Sequence, residues 1–83
     1  MEPEARLQAI AEVWRELLGV PEVKPDDNFF VIGGHSIKAM QAVVRLRRVL
    51  DTEVQLADFF RAPVLSDFAE LLGGRVAEDA HIA

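Results

Sequence analysis

The sequence contains no cysteine, so it can form neither a disulfide framework nor a thiolate metal site. No apolar run approaches the roughly 18 residues that a membrane-spanning helix needs. No stretch alternates cleanly between apolar and polar residues, and there is no internal repeat. The acidic residues 1–4 do not look like a signal peptide. We therefore expect a helical protein of the cytoplasm, without a membrane partner.

Charge is unevenly distributed along the chain. The 83 residues carry a formal net charge of −5 and are 51% hydrophobic, which suits one small globular domain with a modest core. Residues 36–50 hold no acid and form a basic segment made of Lys38, Arg45, Arg47 and Arg48. The acidic residues on both sides would repel a phosphate backbone, so we expect no nucleic acid partner.

The first helix is predicted over residues 4–18, where apolar residues recur at helical spacing. Trp14 lies in the middle of that stripe and is predicted to be core rather than a ligand-stacking residue. Gly19 is a natural stop. Residues 19–35 then form a long connection broken by prolines, and a loop this long is often functional or packed by its own side chains.

Three further helical segments follow: residues 36–50, a short turn within residues 51–63, and residues 65–72. Gly73-Gly74 is expected to end the last helix. The predicted fold is all-α, a small four-helix bundle of three main helices plus a short one, with a long first loop. Residues 1–75 form the domain, and residues 76–83 are expected to be a flexible C-terminal tail.

The segment 36–50 has two apolar stripes. At 100° per residue, each stripe spans about 60° of arc. The core stripe consists of Ala39, Val43, Leu46 and Leu50, and the second stripe consists of Ile37, Met40 and Val44. The second stripe either packs under a loop or is an exposed contact surface. The two alternatives are even for Ile37, whereas the adaptable Met40 favours a contact surface.

Ser36 stands behind Gly33-Gly34 and His35 at the start of that helix. It can be interpreted as a helix cap or as a hydroxyl held where a phosphate is stabilised. A hydrolase serine would need a Gly-x-Ser-x-Gly elbow after a strand, and a Walker loop would need a Gly-Lys-Ser/Thr ending. The chain has neither, nor a metal-ligand cluster.

Covalent modification explains more of this region than a cap does. A phosphodiester on the Ser36 oxygen would face free backbone N–H groups and the positive end of the helix dipole. Gly33 and Gly34 would leave the approach open for a modifying enzyme. Phe29 and Ile32 are expected to pack in the core and anchor the loop. The second apolar stripe would then be a docking surface beside the attached group.

These residues also carry a resemblance. The run Asp27-x-Phe29-Phe30-x-Ile32-Gly33-Gly34-His35-Ser36-Ile37 resembles the signature of peptidyl carrier protein (thiolation) domains of non-ribosomal peptide synthetases, in the acyl carrier protein-like superfamily. The resemblance continues through Arg45-Leu46-Arg47 and Phe59-Phe60-x-Ala62-Pro63 and covers roughly residues 5–72.

The resemblance implies a non-catalytic carrier. A phosphopantetheinyl transferase would attach a 4′-phosphopantetheine arm from coenzyme A to Ser36, and the arm's thiol would hold an aminoacyl or peptidyl group as a thioester. Its partners would be the transferase and the adenylation, condensation, tailoring or thioesterase domains. No catalytic or metal-binding residue is expected in the carrier itself, which would act as a monomer.

The resemblance also assigns the remaining site residues. The partner surface is expected to comprise His35, Ile37, Met40, Val44, Arg47 and Phe60. Loop support is expected from Phe29, Ile32, Gly33 and Gly34. The basic helix and the His-Ser-Ile motif favour a peptidyl carrier over a fatty-acid carrier, which typically has an acidic helix after Asp-Ser-Leu.

Two departures from the pattern and two alternatives remain. Val64 replaces a threonine that commonly caps the last helix, so Ser66 or a backbone group must do so, and Lys38 stands where apolar residues are frequent. The alternatives are an unmodified helical adaptor that binds a partner through the Met40 stripe and an acyl carrier of polyketide or fatty-acid type. The carried group, the pathway and the modification state are left open.

Overall fold

Four helices make up the computed structural model, which describes the backbone of residues 2–82 and the side chains of residues 2–75. The helices are α1 (Pro3–Leu18), α2 (Ser36–Leu50), α3 (Leu56–Arg61) and α4 (Leu65–Ile82). Over the described backbone no strand is assigned, and Asn28 and Val64 form an isolated bridge. The predicted all-α bundle with one short helix is confirmed.

Helix α1 begins and ends for local reasons. Pro3 occupies its first turn, where a missing N–H costs nothing. Gly19 adopts a left-handed backbone (φ 66°) and donates its N–H to the Arg15 carbonyl at 3.0 Å, so the predicted stop is confirmed. The face between them buries Ile10, Val13 and Trp14.

An aromatic cluster forms the centre of the core. Its ring centroids lie 4.5 to 5.9 Å apart, and each ring is fully buried. The members are Trp14, Phe29, Phe59 and Phe68. Each such pair adds about 0.5–1.5 kcal/mol beyond the burial of its area. The cluster joins α1, the first loop, α3 and α4, so the loop before α2 is part of the core.

The expected end of the last helix at residue 72 is wrong, because α4 continues through Gly73-Gly74 to Ile82. A glycine ends a helix when it turns left-handed, and neither of these glycines has a positive φ. Gly73 instead makes room for α1, since a Cβ there would lie 2.5 Å from Nη1 of Arg6. The flexible tail predicted for residues 76–83 falls where side chains lie outside the described part of the chain, and it stays a prediction.

Helix α2 packs through one face and leaves the other exposed. Ala39, Ala42, Val43 and Leu46 are buried, whereas Leu50 is half-buried. The core stripe is therefore as predicted for three of its four residues, with Ala42 added.

Within the described residues, no helix is both long enough and apolar enough to cross a bilayer.

Candidate functional site

The loop before α2 is built around Phe29. Its ring is fully buried, and its N–H donates to the Pro63 carbonyl at 2.8 Å. Its own carbonyl accepts from the Gly34 N–H at 2.8 Å. These bonds tie the loop to the segment before α4 and close a tight turn, so the residues leading to Ser36 have a defined backbone path.

Asn28 organises the turn that follows. Its side-chain Oδ1 accepts from the Phe30 N–H at 2.9 Å and from the Val31 N–H at 3.3 Å. Its carbonyl accepts from the N–H groups of Val31 and Ile32. This Asx-type turn places Val31 at the tip, 80% exposed. Ile32 is only half-buried and lies outside the core cluster, so its expected core position is wrong.

The two glycines are needed for different reasons. Gly33 has φ 119°, a conformation that side-chain-bearing residues rarely adopt. Gly34 has no such φ, but a Cβ on it would lie 2.3 Å from the Phe29 ring and 2.6 Å from the Phe29 carbonyl oxygen. The interpretation that both glycines clear the approach to Ser36 is therefore wrong for Gly34, because Phe29 occupies the space where a side chain on Gly34 would lie. Space is open only at Gly33, where a Cβ would meet nothing within 4 Å.

Ser36 is not the helix cap. His35 holds that position, with extended backbone (φ −149°, ψ 179°), and its carbonyl accepts the first helical bond from the Ala39 N–H at 2.8 Å. Ser36 is thus the first residue inside α2. The His35 side chain makes no capping hydrogen bond. Both side chains are exposed, so the Ser36 hydroxyl is available at the surface rather than occupied by the helix end.

The backbone donors in the first turn of α2 could hold an anion. The N–H groups of Ser36, Ile37 and Lys38 donate to no described acceptor. The turn carries no acidic residue, and its N–H groups form the positive end of the helix dipole. Among the described residues no group of three metal-ligating side chains occurs.

The second apolar stripe of α2 is exposed. Ile37, Met40 and Val44 are 65%, 58% and 55% exposed. Met40 and Val44 also line a shallow groove of about 280 Å³ whose other wall is Leu56 of α3. Phe60 of α3 is 60% exposed. The alternative that Ile37 packs under a loop is therefore wrong.

Phe60 is connected to the first loop. Its ring stacks on Phe30 with centroids 5.2 Å apart and planes inclined by 20°. Phe30 in turn contacts Phe29 edge-on at 5.5 Å. The exposed aromatic side chain of α3 is therefore continuous with the buried core through the loop that precedes Ser36.

The four bases of α2 have separate surroundings. Arg45 pairs with Glu16 of α1. Arg47 donates from Nε to the Val54 carbonyl at 2.8 Å. Lys38 is half-buried and Arg48 is exposed. The basic segment therefore does not form one continuous basic surface, because Arg45 and Arg47 already bind groups of their own chain.

Comparison with known proteins decides the family. The profile of the family described as PP-binding, phosphopantetheine attachment site, matches residues 8–72. The chain belongs to this family. It is 40% identical over 78 residues to malpibaldin synthetase of Mortierella alpina and 36% identical over 66 residues to CymA of Salinispora arenicola, a probable non-canonical nonribosomal peptide synthetase. These alignments cover 93% and 80% of the chain but 1% of each relative, so the chain spans about a hundredth of their length.

Solved structures share the fold of this attachment-site chain. A chain from the complex of the phosphopantetheine transferase Sfp with coenzyme A and a peptidyl carrier protein has TM-score 0.78 and 35% identity, covering 83% of this chain and 90% of that one. BlmI, a type-II acyl carrier protein of Streptomyces verticillus, has TM-score 0.84 at 24% identity and covers 89% of both chains. The second comparison bears on the fold alone, and together they identify the bundle as acyl carrier protein-like.

The residues present in this attachment-site chain fit the family's cofactor, 4′-phosphopantetheine. A phosphodiester needs a surface hydroxyl, hydrogen-bond donors for its oxygens and no nearby carboxylate. The first turn of α2 supplies the Ser36 hydroxyl, three backbone N–H groups without an acceptor among the described residues, and no acid. Bound there, the cofactor would add a flexible arm ending in a thiol, the group that forms thioesters.

Sequence reasoning missed one buried charged residue, Asp58 of α3. Its side chain is 1% exposed, and each carboxylate oxygen accepts from Arg75 at 2.5 Å. Burial by itself would raise the pKa of Asp58. The hydrogen bonds from Arg75 and the Gln55 N–H, with the nearby charges of Arg75 and Arg61, outweigh it and lower that pKa below its usual value. The spacing Gln55-x-x-Asp58 was the available signal, because it matches a capping box.

Proposed function

We propose that Ser36 is the residue that receives 4′-phosphopantetheine and that the chain carries acyl groups on the attached arm. One observation carries the proposal. In a chain of the phosphopantetheine attachment family, Ser36 is an exposed serine on a helix whose first three N–H groups lack a described acceptor. The arrangement would stabilise the phosphate of the attached group.

The transfer itself belongs to a partner enzyme. The Ser36 oxygen attacks the phosphorus that bears the pantetheine arm in coenzyme A, and a phosphodiester bond forms. The pyrophosphate bond of coenzyme A breaks, and adenosine 3′,5′-bisphosphate leaves. The hydroxyl proton passes to a base of the transferase. This chain contributes the nucleophilic oxygen and the electrostatic setting.

The carrier role extends to a biosynthetic pathway. The relatives include a probable non-canonical nonribosomal peptide synthetase, which supports aminoacyl or peptidyl cargo held as a thioester. The chain acts as a monomeric, non-catalytic substrate of a transferase and of adenylation, condensation, tailoring or thioesterase domains. The surface offered to them comprises His35, Ile37, Met40, Val44, Arg47 and Phe60. Phe29, Ile32, Gly33 and Gly34 support the loop that leads to it.

Intact mass spectrometry after incubation with coenzyme A and a promiscuous phosphopantetheinyl transferase tests the attachment site. We expect the native chain to gain the mass of one phosphopantetheinyl group and Ser36→Ala to gain nothing. The chain's other serine, Ser66, provides a matched control, since its N–H already donates to the Pro25 carbonyl at 2.9 Å. Ser66→Ala should be modified like the native chain. An unmodified native chain, or an unchanged mass gain on Ser36→Ala, would overturn the assignment.

Aspartate scanning of α2 tests the partner surface. Met40→Asp places a charge in the exposed stripe and should weaken aminoacylation by a partner adenylation domain while leaving the helices folded. Val49→Asp is the control, because Val49 is 48% exposed and stands half a turn from Met40 around the helix. Equal weakening by both variants would argue against a surface centred on Met40. Loss of helicity in Met40→Asp would mean that Met40 has a structural role.

An unmodified helical adaptor is the alternative of a different class. The exposure of Ile37, Met40 and Val44 is compatible with it, because an apolar stripe can bind a partner helix without any arm. The mass experiment separates the two functions. An adaptor would keep partner binding in Ser36→Ala, whereas a carrier would lose all thioester loading.

A further inference from the structure

The ion pair between α3 and α4 is the most deeply buried polar contact described in the molecule. Asp58 accepts two parallel hydrogen bonds from Arg75, each 2.5 Å long. Its Oδ2 also accepts from the Gln55 N–H at 2.7 Å, which completes the capping box of α3. The Asp58 side chain is 1% exposed and that of Arg75 is 22% exposed. One carboxylate thus joins the start of α3 to α4.

The segment that leads into α3 is held from both sides. Nη1 of Arg75 also donates to the Glu53 carbonyl at 3.2 Å. From α2, Nε of Arg47 donates to the next carbonyl, that of Val54, at 2.8 Å. Two arginines from different helices therefore bind successive carbonyls just before α3. Helix α3 has six residues, too few to be stable by propensity alone, so its position depends on such contacts.

The position of α3 sets the shape of the groove. Leu56, the first residue of α3, forms one wall, and Met40 and Val44 of α2 form the other. Asp58 stands two residues after Leu56. A shift of α3 would therefore change the width of the groove while leaving the exposed stripe of α2 intact.

Stability is a weak explanation for a buried pair of this kind. Removing two charges from water costs nearly as much as their attraction returns, and well-packed apolar residues often do as well. What a bidentate pair supplies and apolar contacts do not is one defined geometry, because both hydrogen bonds are satisfied in one relative placement. That property suits a pair that orients a short helix.

We propose that Asp58 and Arg75 are positioning residues that hold α3 against α2 and thereby set the groove in which partners dock. The partner-docking part rests on the carrier function proposed above. Arg75 lies three residues beyond residues 8–72, the segment matched by the family profile. Partner recognition by this chain consequently depends on a residue outside that segment.

The test compares two arginine–carboxylate pairs in the full chain. Arg75→Gln breaks the buried pair. Arg15→Gln is the matched control, because Arg15 binds both carboxylate oxygens of Glu12, at 2.6 and 3.0 Å, on the exposed face of α1. Amide hydrogen exchange resolved by residue is the first measurement. Arg75→Gln should speed exchange over residues 53–61 roughly tenfold or more relative to α1, whereas Arg15→Gln should leave that ratio unchanged.

A double variant covers the case in which Arg75→Gln fails to fold. Asp58→Asn with Arg75→Gln removes both charges of the pair, and the side-chain amide oxygen at position 58 can still accept from the Gln55 N–H. It cannot reproduce two parallel charged hydrogen bonds. We expect it to fold and to show the same fast exchange over residues 53–61. Native exchange there, or an equal increase in every helix, would overturn the positioning role.

Two functional measurements complete the test. In the phosphopantetheinylated chain, Arg75→Gln should raise the KM for aminoacylation by about fivefold with kcat unchanged, because docking weakens and the chemistry does not. Modification of Ser36 should still reach completion. An unchanged KM alongside fast exchange at α3 would overturn the link to docking. If the native chain were not modified at all, the carrier function would fail, while the exchange data would still decide whether the pair positions α3.

Discussion

The N-termini of α2 and α3 handle the same physical problem in opposite ways. Each helix begins with backbone N–H groups that have no partner inside the helix. At α3, Gln55 and Asp58 form a capping box, with the Asp58 carboxylate accepting from the Gln55 N–H. At α2, His35 provides no side-chain bond, and the N–H groups of the first turn lack a described acceptor. The start of α3 has a side-chain capping box, and we call it the closed start, whereas that of α2 has no side-chain cap, and we call it the open start.

The lengths of the two helices explain how the molecule tolerates the difference. A missing cap costs about 1 kcal/mol. Helix α2 has 15 residues and a fully buried face containing Ala39 and Leu46, so it can bear that cost. Helix α3 has only six residues and therefore less buried surface to offset a missing cap. The N–H groups without a described acceptor therefore belong to the longer helix, beside Ser36, where packing offsets the missing cap.

Helix α4 offers a third solution and a useful control. Its first N–H groups donate to loop carbonyls, Leu65 to Asp27 at 3.0 Å and Ser66 to Pro25 at 2.9 Å. Ser36 and Ser66 both stand in the first turn of a helix, but beside Ser66 the N–H groups of residues 65 and 66 already donate to loop carbonyls. The difference teaches that a serine in the first turn is not enough, because the neighbouring N–H groups must also be free.

The largest expected effect comes from breaking the closed start. Asp58→Asn removes the buried carboxylate and so breaks its ion pair with Arg75, and we expect the free energy of unfolding to fall by about 3 kcal/mol. Urea denaturation followed by circular dichroism measures it. Glu12→Gln, which breaks the exposed pair on α1, is the control and should change little. Equal effects from both variants would mean that burial of Asp58 contributes nothing.

Lowering the pH should gradually remove the stabilisation that the Asp58–Arg75 pair provides. The pKa of Asp58 is lowered in the folded chain, while an aspartate in an unfolded chain has a pKa of about 3.9. A lowered pKa means that the stabilisation is fully present above the unfolded value and is lost as the pH falls through the folded value. Urea titrations at several pH values should show that the native chain and Asp58→Asn differ less in their free energy of unfolding below about pH 4. A difference that grew in acid would contradict the ion pair between Asp58 and Arg75.

The loop before the open start should be the next most sensitive region. In Gly34→Ala the new Cβ would lie 2.3 Å from the Phe29 ring, so we expect a loss of about 2 kcal/mol from overpacking. Gly74→Ala is the opposite control, since nothing lies within 4 Å of its Cβ position inside α4, and it should stabilise by up to about 1 kcal/mol. Thermal unfolding of both variants tests the pair. A neutral Gly34→Ala would show that the loop can move away from Phe29.

The smallest effects concern the open start itself. His35→Ser adds a side-chain acceptor at the cap position of α2 and should raise the free energy of unfolding by about 1 kcal/mol. Ser36→Ala should change it by less than about 0.5 kcal/mol, because the Ser36 side chain is exposed and outside the core. Chemical denaturation measures both. No gain in His35→Ser would indicate that those N–H groups are already satisfied in solution.

Local patterns were enough for much of the fold. The apolar spacing in residues 36–50 predicted α2 with its observed ends, and Gly19 marked the end of α1. Phe29 was expected in the core, where it lies. These predictions succeed because they depend on neighbours within one or two turns. The predicted stop at Gly73-Gly74 failed because neither glycine turns left-handed, and Gly73 instead makes room for Arg6, which is distant in sequence.

The sequence by itself determined the four helices, the two apolar stripes of α2 and the choice of Ser36 as the candidate attachment residue. Periodicity and a contiguous motif carry all of that information. Only the tertiary structure decided that Ser36 follows the cap rather than forming it, that Phe29 fills the place beside Gly34, and that Arg75 reaches Asp58. Each of these depends on side chains brought together by packing or on the direction of one backbone turn, and spacing along the chain does not encode either.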